Sequence, residues 1–303
     1  MPILKVIVLA IVQGFAELLP VSSSAHVVVA EKLMGLDPSS PQLTLLLVML
    51  HTGTMFAVIA YFWKTWKAAY FSSGQAFKRF AVLLIWATVL TAIVGEALKI
   101  LIEKTLFRGA AKAEIEQLFS HLELIAPALA AVGLLILIAG LAERRQMRDS
   151  ARGLDPGRMT ERSQGLVTAS QAGWMGVLQG LALPFRGFSR SGSTISTGML
   201  AGAEKQAAER FSFAMAVVLT PPVVAIESAR LLRAAHTAAA AGTPIDLHAA
   251  LFSSLLGTVF AFFAGLIALK WLSSWLETGR WYLFGLYCLL ASMVVFYLYA
   301  RGF

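Results

Sequence analysis

Long apolar runs separated by short polar segments dominate the chain. A membrane-spanning helix needs about 20 predominantly apolar residues, and six runs reach that length, namely 43–63, 81–102, 122–142, 211–232, 249–269 and 281–300. The pattern therefore predicts an all-α polytopic membrane protein with six full transmembrane helices.

Two other apolar regions, residues 2–35 and 167–202, are each broken by a core rich in Pro, Ser and Gly. Each region consists of two short apolar halves, which predicts two broken or re-entrant helical hairpins. In the first region, Pro20 is expected to end a helix, and Ser22 or Ser23 is expected to cap the next helix.

The second helix of each pair is expected to follow the polar core. It should begin at Ala25 in the first region and near Ile195 in the second region. Backbone amides at such a helix start point into the break, where they can bind an anion.

The two broken regions resemble each other. A Gln-Gly pair, a Leu-Pro pair and a serine cluster follow one another in both, starting at Gln13 in the first and at Gln179 in the second. Matching interrupted segments indicate an internal repeat. We predict a single integral membrane domain over 1–303, with one repeat over about 1–142, a basic cytoplasmic loop over about 143–166 and a second repeat over about 167–303.

Charges between the runs predict the orientation. Residues 64–80 carry four Lys or Arg and no acid, and residues 143–162 carry six Arg against four acids. Segments rich in Lys and Arg stay on the cytoplasmic side. Because three spans in each half invert the second repeat relative to the first, we predict inverted-topology repeats with both termini outside.

Composition supports the membrane class. The 303 residues are 58% hydrophobic and 14% charged, far from the balance of soluble domains. The net charge of +8 lies mostly in short segments between apolar runs, where it serves orientation and contacts with lipid headgroups. We therefore expect membrane lipids, and no nucleic acid, as partners. Cys288 is the only cysteine of the sequence, which excludes an intramolecular disulfide.

The first broken region carries a concentration of reactive side chains. Gln13 and Glu17 are four residues apart and share a helix face, and three serines and His26 follow them. An acid, hydroxyls and a histidine can supply metal ligation, a nucleophile and a general acid or base. The alternative is a polar kink between packed helices, in which Glu17 pairs with a neighbour.

The second broken region carries Gly187-Phe188-Ser189-Arg190-Ser191-Gly192-Ser193-Thr194. Glycine lets backbone approach a ligand closely, hydroxyls donate to oxyanions, and the planar guanidinium of Arg190 matches a phosphate bidentately. A phosphate is the ligand that this set of groups fits best. As a structural alternative, Arg190 neutralises Glu17 across the interface between the repeats.

These two segments resemble the undecaprenyl-pyrophosphate phosphatase family, often called BacA or UppP. Q-G-F-A-E-L-L-P-V-S-S-S-A-H, from Gln13 to His26, resembles the family's [E/Q]-x-x-x-E element with its P-V-S-S segment and histidine. G-F-S-R-S-G-S-T resembles its P-G-x-S-R-S-x-x-T element. One departure stands out: Arg186 precedes Gly187 where the family has proline, and the proline lies back at Pro184.

The resemblance implies hydrolysis of undecaprenyl pyrophosphate to the monophosphate and phosphate in the bacterial inner membrane, at a site facing the periplasm. This reaction recycles the lipid carrier for peptidoglycan synthesis and is associated with bacitracin resistance. A divalent cation, Mg²⁺ or alternatively Ca²⁺, is implied as the cofactor. A polyprenyl pyrophosphate lipid is the implied substrate, and a homo-oligomer is left open.

Residue roles follow the same resemblance. The catalytic set is Glu17, Ser23, His26 and Arg190. The expected phosphate contacts are Gln13, Ser22, Ser24, Gly187, Ser189, Ser191 and Thr194, and Arg186, which departs from the family pattern, is expected as an extra contact. Glu17 and Gln13 are the expected cation ligands.

Two questions stay open from the sequence. Duplicated halves with opposed broken helices also form secondary transporters, so a flippase or transporter for a phosphorylated lipid is the rival function. His51 lies inside the first full span, where it either borders the site or bonds to a neighbouring helix.

Overall fold

The computed structural model describes residues 2–36, 40–106, 122–151, 166–240, 246–276 and 279–302. Its regular secondary structure over those ranges is α-helical throughout. The ten helices are α1 (Ile3–Leu18), α2 (Ser23–Leu33), α3 (Pro41–Tyr70), α4 (Gly74–Leu106), α5 (Leu122–Ala151), α6 (Ala169–Ala182), α7 (Arg190–Leu200), α8 (Lys205–Ala240), α9 (Leu247–Leu276) and α10 (Tyr282–Ala300).

Six of these helices, α3, α4, α5, α8, α9 and α10, are long and apolar enough to cross a membrane. They contain the six predicted runs, except that Trp281 at the start of the last run precedes its helix, so the prediction of a polytopic helical membrane protein is confirmed. The helices are longer than the apolar runs at several ends. α3 continues to Tyr70 and α4 begins at Gly74, so the basic residues predicted to form a loop lie mostly on helix ends.

The predicted basic loop after the third span begins as helix. α5 extends to Ala151, although its apolar run ends at residue 142. Here Glu143 accepts a hydrogen bond from Lys205 Nζ at 2.8 Å, which fixes this end of α5 to the start of α8. Residues 152–165 of the predicted loop lie outside the described residues.

Both broken regions form pairs of short helices, α1 with α2 and α6 with α7. α1 ends at Leu18, ahead of Pro20 as expected. The expected starts of the second helices were placed too late. α2 begins at Ser23 rather than Ala25, and α7 begins at Arg190 rather than near Ile195.

The early start of α7 has a clear cause. Ser189 is its N-cap, and the Ser189 hydroxyl accepts a hydrogen bond from the Gly192 amide at 3.1 Å. A capping serine satisfies an amide that has no partner within the helix. The polar segment therefore forms the first turns of the helix instead of a loop before it.

The short helices pack against long helices of the opposite half of the chain. α1 packs on α9, and α6 packs on α4. A Cβ added at Gly14 of α1 would lie 2.5 Å from Ala264 Cβ of α9, and one added at Gly180 of α6 would lie 2.8 Å from Val94 Cβ of α4. Glycine thus allows the same close approach at corresponding places in the two broken regions.

The long helices pack most extensively where α5 meets α10 and where α3 meets α9, and α3 also packs against α8. The rings of Phe62 on α3 and Phe213 on α8 are 5.5 Å apart. Leu18 and Ile195, from α1 and α7, belong to the same buried apolar cluster. The breaks of both helix pairs are therefore held inside the protein, whereas α4 exposes large aliphatic side chains such as Ile85, as a lipid-facing helix does.

Candidate active site

The last turn of α1 meets the first turn of α7 inside the protein. Glu17 Oε1 forms an ion pair with Nη2 of Arg190, the first residue of α7. The Glu17 side chain is only 9% exposed, and that of Arg190 is 26% exposed. A buried carboxylate is costly unless it is paired and hydrogen-bonded, so this contact fixes the two broken regions to each other.

The other oxygen of Glu17 collects polar groups from the first half of the chain. The Ser23 hydroxyl donates to Glu17 Oε2 at 2.6 Å, and Gln13 Nε2 donates to the same oxygen at 3.1 Å. Gln13 and Glu17 share one face of α1, as their spacing predicted, and both are buried. Ser23 reaches the carboxylate because α2 begins directly after the break.

His51 of α3 completes this group. Its Nδ1 lies 2.8 Å from Gln13 Nε2 and 3.3 Å from Glu17 Oε2. The His51 side chain is 42% exposed, so it is more open than Glu17 and Arg190. Of the two interpretations that the sequence left open, the structure favours the one in which His51 borders the site.

The remaining serines of the first region shape the break. Ser22 has φ +69°, and it is the one non-glycine residue with positive φ in the described part of the chain. Such a conformation costs of the order of 1–3 kcal/mol and is common at functional sites. Ser22 Oγ lies 3.3 Å from Ser24 Oγ and caps no amide, contrary to the expectation of a capping side chain.

Ser24 links the two breaks. Its hydroxyl accepts a hydrogen bond from the Gly187 amide at 3.3 Å. Gly187 has φ +102°, and a Cβ there would lie 2.6 Å from the Ile125 carbonyl oxygen. Only glycine fits this close approach without strain.

His26 is oriented away from the Glu17 cluster. Its Nδ1 lies 2.7 Å from the Ser22 carbonyl oxygen, to which only a protonated nitrogen can donate. Its Nε2 lies 2.6 Å from the Tyr287 hydroxyl of α10, and the two rings stack 5.6 Å apart. Tyr287 was missed by the sequence interpretation, because 261 residues separate it from His26.

Three hydroxyls of the second region serve local structure. Ser189 caps α7, and Ser191 Oγ donates to the Leu19 carbonyl at 3.5 Å. Thr194 Oγ1 bonds to the Arg190 carbonyl at 2.8 Å and lies 2.6 Å from Ser212 Oγ of α8. Their role as phosphate contacts stays a prediction.

Arg186 lies in the segment between α6 and α7 and is half-buried. Glu31 of α2 is fully buried, and among the residues that the structure describes neither of its carboxylate oxygens has a hydrogen-bond partner. Arg186, which stands where the family pattern has proline, directly precedes Gly187 and its contact with Ser24.

The cluster offers few protein ligands to a cation. The described residues contain no group of three or more His, Cys, Asp and Glu that could hold a metal ion. Glu17 and Gln13 together provide one carboxylate and one amide oxygen. This donor set fits Mg²⁺, which commonly binds through one or two carboxylates together with substrate phosphates.

Comparisons with known proteins point to one family. A family model described as bacitracin resistance protein BacA matches residues 6–294. Undecaprenyl-diphosphatase 2 of Acinetobacter baylyi is 53% identical over 295 residues, which cover 97% of both chains. An undecaprenyl-diphosphatase of Desulfatibacillum aliphaticivorans is 34% identical over 302 residues, covering 96% of this chain and 97% of that protein.

Proposed function

Because the chain belongs to the bacitracin resistance protein BacA family, we propose that Glu17, Ser23 and Arg190 form the site of its reaction. The protein is a membrane phosphatase that hydrolyses undecaprenyl pyrophosphate to undecaprenyl phosphate and inorganic phosphate, and this reaction recycles the lipid carrier. The proposal concerns where the hydrolysis takes place and which residues perform it.

One observation carries the proposal: the ion pair between Glu17 and Arg190 joins the two broken regions inside the protein. An ionisable residue at membrane depth is expensive and usually functional. A pyrophosphate and a cation can replace both partners of this pair, since the phosphate pairs with the Arg190 guanidinium and the cation pairs with the Glu17 carboxylate. Glu17 and Arg190 thus neutralise each other without substrate, and the cation and the phosphate neutralise them when substrate is bound.

Arg190 stabilises the transferred phosphoryl group. Its guanidinium offers parallel N–H donors that match two phosphate oxygens. Charge on those oxygens must be offset while the bond to the leaving phosphate loosens. A donor that is already in place needs little reorganisation in the transition state. The first turn of α7 keeps Arg190 in this position.

Ser23 and Glu17 act on the nucleophile. The Ser23 hydroxyl donates to Glu17 Oε2 at 2.6 Å, so the carboxylate is placed to accept the proton of an attacking oxygen. Attack by the Ser23 hydroxyl and attack by a water molecule that Ser23 positions are both compatible with this contact. His26, which bonds to Ser22 and Tyr287, is proposed to act as acid or base only after it turns from those partners.

A divalent cation would be held by Glu17, Gln13 and oxygens of the pyrophosphate. Bound there, it would neutralise charge on the substrate. Mg²⁺ fits this small number of protein ligands better than Ca²⁺, which takes six to eight oxygen ligands. The remaining ligands of Mg²⁺ would be water and phosphate oxygens.

The two halves are proposed to be inverted-topology repeats, each with a re-entrant helix pair followed by three spanning helices. The reciprocal packing of α1 on α9 and α6 on α4 supports this arrangement. Corresponding residues, Gly14 and Gly180, lie at the two contacts. Three spans per repeat would place the second repeat upside down relative to the first.

The site is proposed to face the periplasm, in a protein of the inner membrane with both termini outside. Lys64 and Lys67 lie near the end of α3, and basic residues favour the cytoplasmic side, which supports this orientation. At 1.5 Å per residue, His51 lies about 15 Å from the opposite end of a helix that is about 45 Å long. The cluster is therefore closer to the periplasmic end of α3.

The proposal is tested by measuring phosphate release from undecaprenyl pyrophosphate in detergent micelles with the purified protein. Ser23→Ala, Glu17→Gln and the wild type are compared at equal amounts of monodisperse protein. Release by the wild type, with loss in both variants, supports this site. Wild-type rates in either variant would place the reaction elsewhere.

A further inference from the structure

Hydrogen bonds fix which way the side-chain amide of Gln13 is turned. One of its terminal atoms lies 3.1 Å from Glu17 Oε2 and 2.8 Å from His51 Nδ1. An ionised carboxylate only accepts hydrogen bonds, so the atom beside it is the NH₂ group. One N–H donates to Glu17, and the other is left for His51.

The same contact shows whether the Nδ1 atom of His51 donates or accepts a hydrogen bond. A ring nitrogen that receives an N–H must carry a lone pair, so Nδ1 of His51 is the acceptor in this pair. His51 is thus not a donor to Glu17 here, although their atoms are 3.3 Å apart. Instead, Nδ1 of His51 accepts a hydrogen bond from the second N–H of Gln13.

The amide oxygen of Gln13 is consequently turned away from both partners. Within the described residues, no group donates a hydrogen bond to Gln13 Oε1. The contact with Glu17 fixes which end of the amide faces the carboxylate, and the second N–H bond, to His51, fixes the plane of the amide and hence the direction of Oε1. A carbonyl oxygen that receives no hydrogen bond, on an amide group that contacts Glu17, is a suitable ligand for a hard cation.

We infer that His51 is a positioning residue, which holds the amide of Gln13 so that its oxygen can bind the divalent cation of the reaction. This inference rests on the proposed function, and it adds a residue that contacts neither the phosphate nor the cation. The effect of His51 is transmitted entirely through Gln13.

The inference predicts a specific pattern among His51 variants. His51→Asn places an oxygen near the position of Nδ1 and keeps an acceptor for Gln13, whereas His51→Leu has none. Cation binding is measured with Mn²⁺ by electron paramagnetic resonance, in the presence of a non-hydrolysable methylene-bisphosphonate analogue of the lipid. Loss of one positioning hydrogen bond should weaken Mn²⁺ binding about tenfold in His51→Leu, and His51→Asn should restore most of it.

Thr52→Val is the matched control. Thr52 is the next residue of α3, and its hydroxyl bonds to the Val48 carbonyl of its own helix at 3.0 Å. Removal of this hydroxyl changes polarity at the same depth without touching Gln13. Mn²⁺ binding by Thr52→Val should equal that of the wild type.

A double variant distinguishes positioning from a general loss of structure. If His51 acts only through Gln13, His51→Leu should have no further effect on Mn²⁺ binding in a Gln13→Ala background. Additive losses, or equal binding by His51→Leu and the wild type, would overturn the inference. Phosphate release by the wild type is measured alongside, because its absence would contradict the proposed function, whereas the Mn²⁺ pattern concerns His51 alone.

Discussion

The carboxylate of Glu17 and the guanidinium of Arg190 meet although 173 positions separate them in the chain. Each residue belongs to a different broken region, at the end of α1 and the start of α7. Breaking a buried ion pair by removing one partner usually costs 3–5 kcal/mol, since the remaining charge is left uncompensated. The pair therefore couples stability to function, and variants at these positions need a folding control.

Substitution of Ser23 is expected to lower activity much more than substitution of its neighbour Ser24. Ser23→Ala removes the hydroxyl on Glu17 and should lower kcat at least about 100-fold, the usual scale for loss of an acid–base partner. Ser24→Ala removes a neutral hydrogen bond from the Gly187 amide and should lower kcat about tenfold or less. Steady-state phosphate release measures both, and equal losses in the two variants would be inconsistent with the contacts of Ser23.

Chelation should abolish activity. We expect EDTA to stop phosphate release and added Mg²⁺ to restore it, because the single positive charge of the Arg190 guanidinium does not offset the whole charge of a pyrophosphate beside the Glu17 carboxylate. Ca²⁺ should restore less activity, since the site offers few of the ligands that it prefers. Full activity after exhaustive chelation would show that no divalent cation takes part.

Gly14→Ala should destabilise the protein, because the added Cβ would lie 2.5 Å from Ala264 Cβ and 3.0 Å from the Ala261 carbonyl oxygen. Overpacking of this kind costs about 1–3 kcal/mol. Gly74→Ala is the control, since a Cβ there would meet nothing within 4 Å. The apparent Tm in detergent should fall for Gly14→Ala and stay unchanged for Gly74→Ala. A fall of the same size in both variants would argue against the close packing of α1 on α9.

The ion pair between Glu143 and Lys205 should contribute to stability rather than to chemistry. Lys205→Met leaves the Glu143 carboxylate poorly compensated and should cost about 3–5 kcal/mol. Replacing both residues, with Glu143→Met and Lys205→Met combined, should recover much of the loss. Apparent Tm values of the single and double variants check this expectation, and additive losses would contradict it.

The spanning helices and much of the candidate site could be predicted from the sequence, because both depend on local patterns. A run of apolar residues predicts a span wherever it packs, and the spacing of Gln13 and Glu17 places both on one helix face. Helix starts were harder to predict. α7 begins at Arg190 because the Ser189 hydroxyl bonds to a backbone amide, and composition does not reveal that bond.

Partners from distant segments could not be predicted. His51 contacts Gln13 across 38 positions, and Tyr287 contacts His26 across 261 positions. A single histidine or tyrosine in an apolar helix looks the same whether it faces lipid, a neighbouring helix or a reaction site. Only the packing of α3 and α10 around the breaks distinguishes these cases.

The central claim is that the broken regions jointly form the phosphatase site, and one comparison tests it most directly. Phosphate release from undecaprenyl pyrophosphate with Mg²⁺ is measured for the wild type, Glu17→Gln and Arg190→Ala, each shown to be monodisperse and helical. We predict that both variants lose at least about 100-fold in kcat/KM, the usual scale for a group that offsets transition-state charge. Well-folded variants that release phosphate at the wild-type rate would contradict the claim.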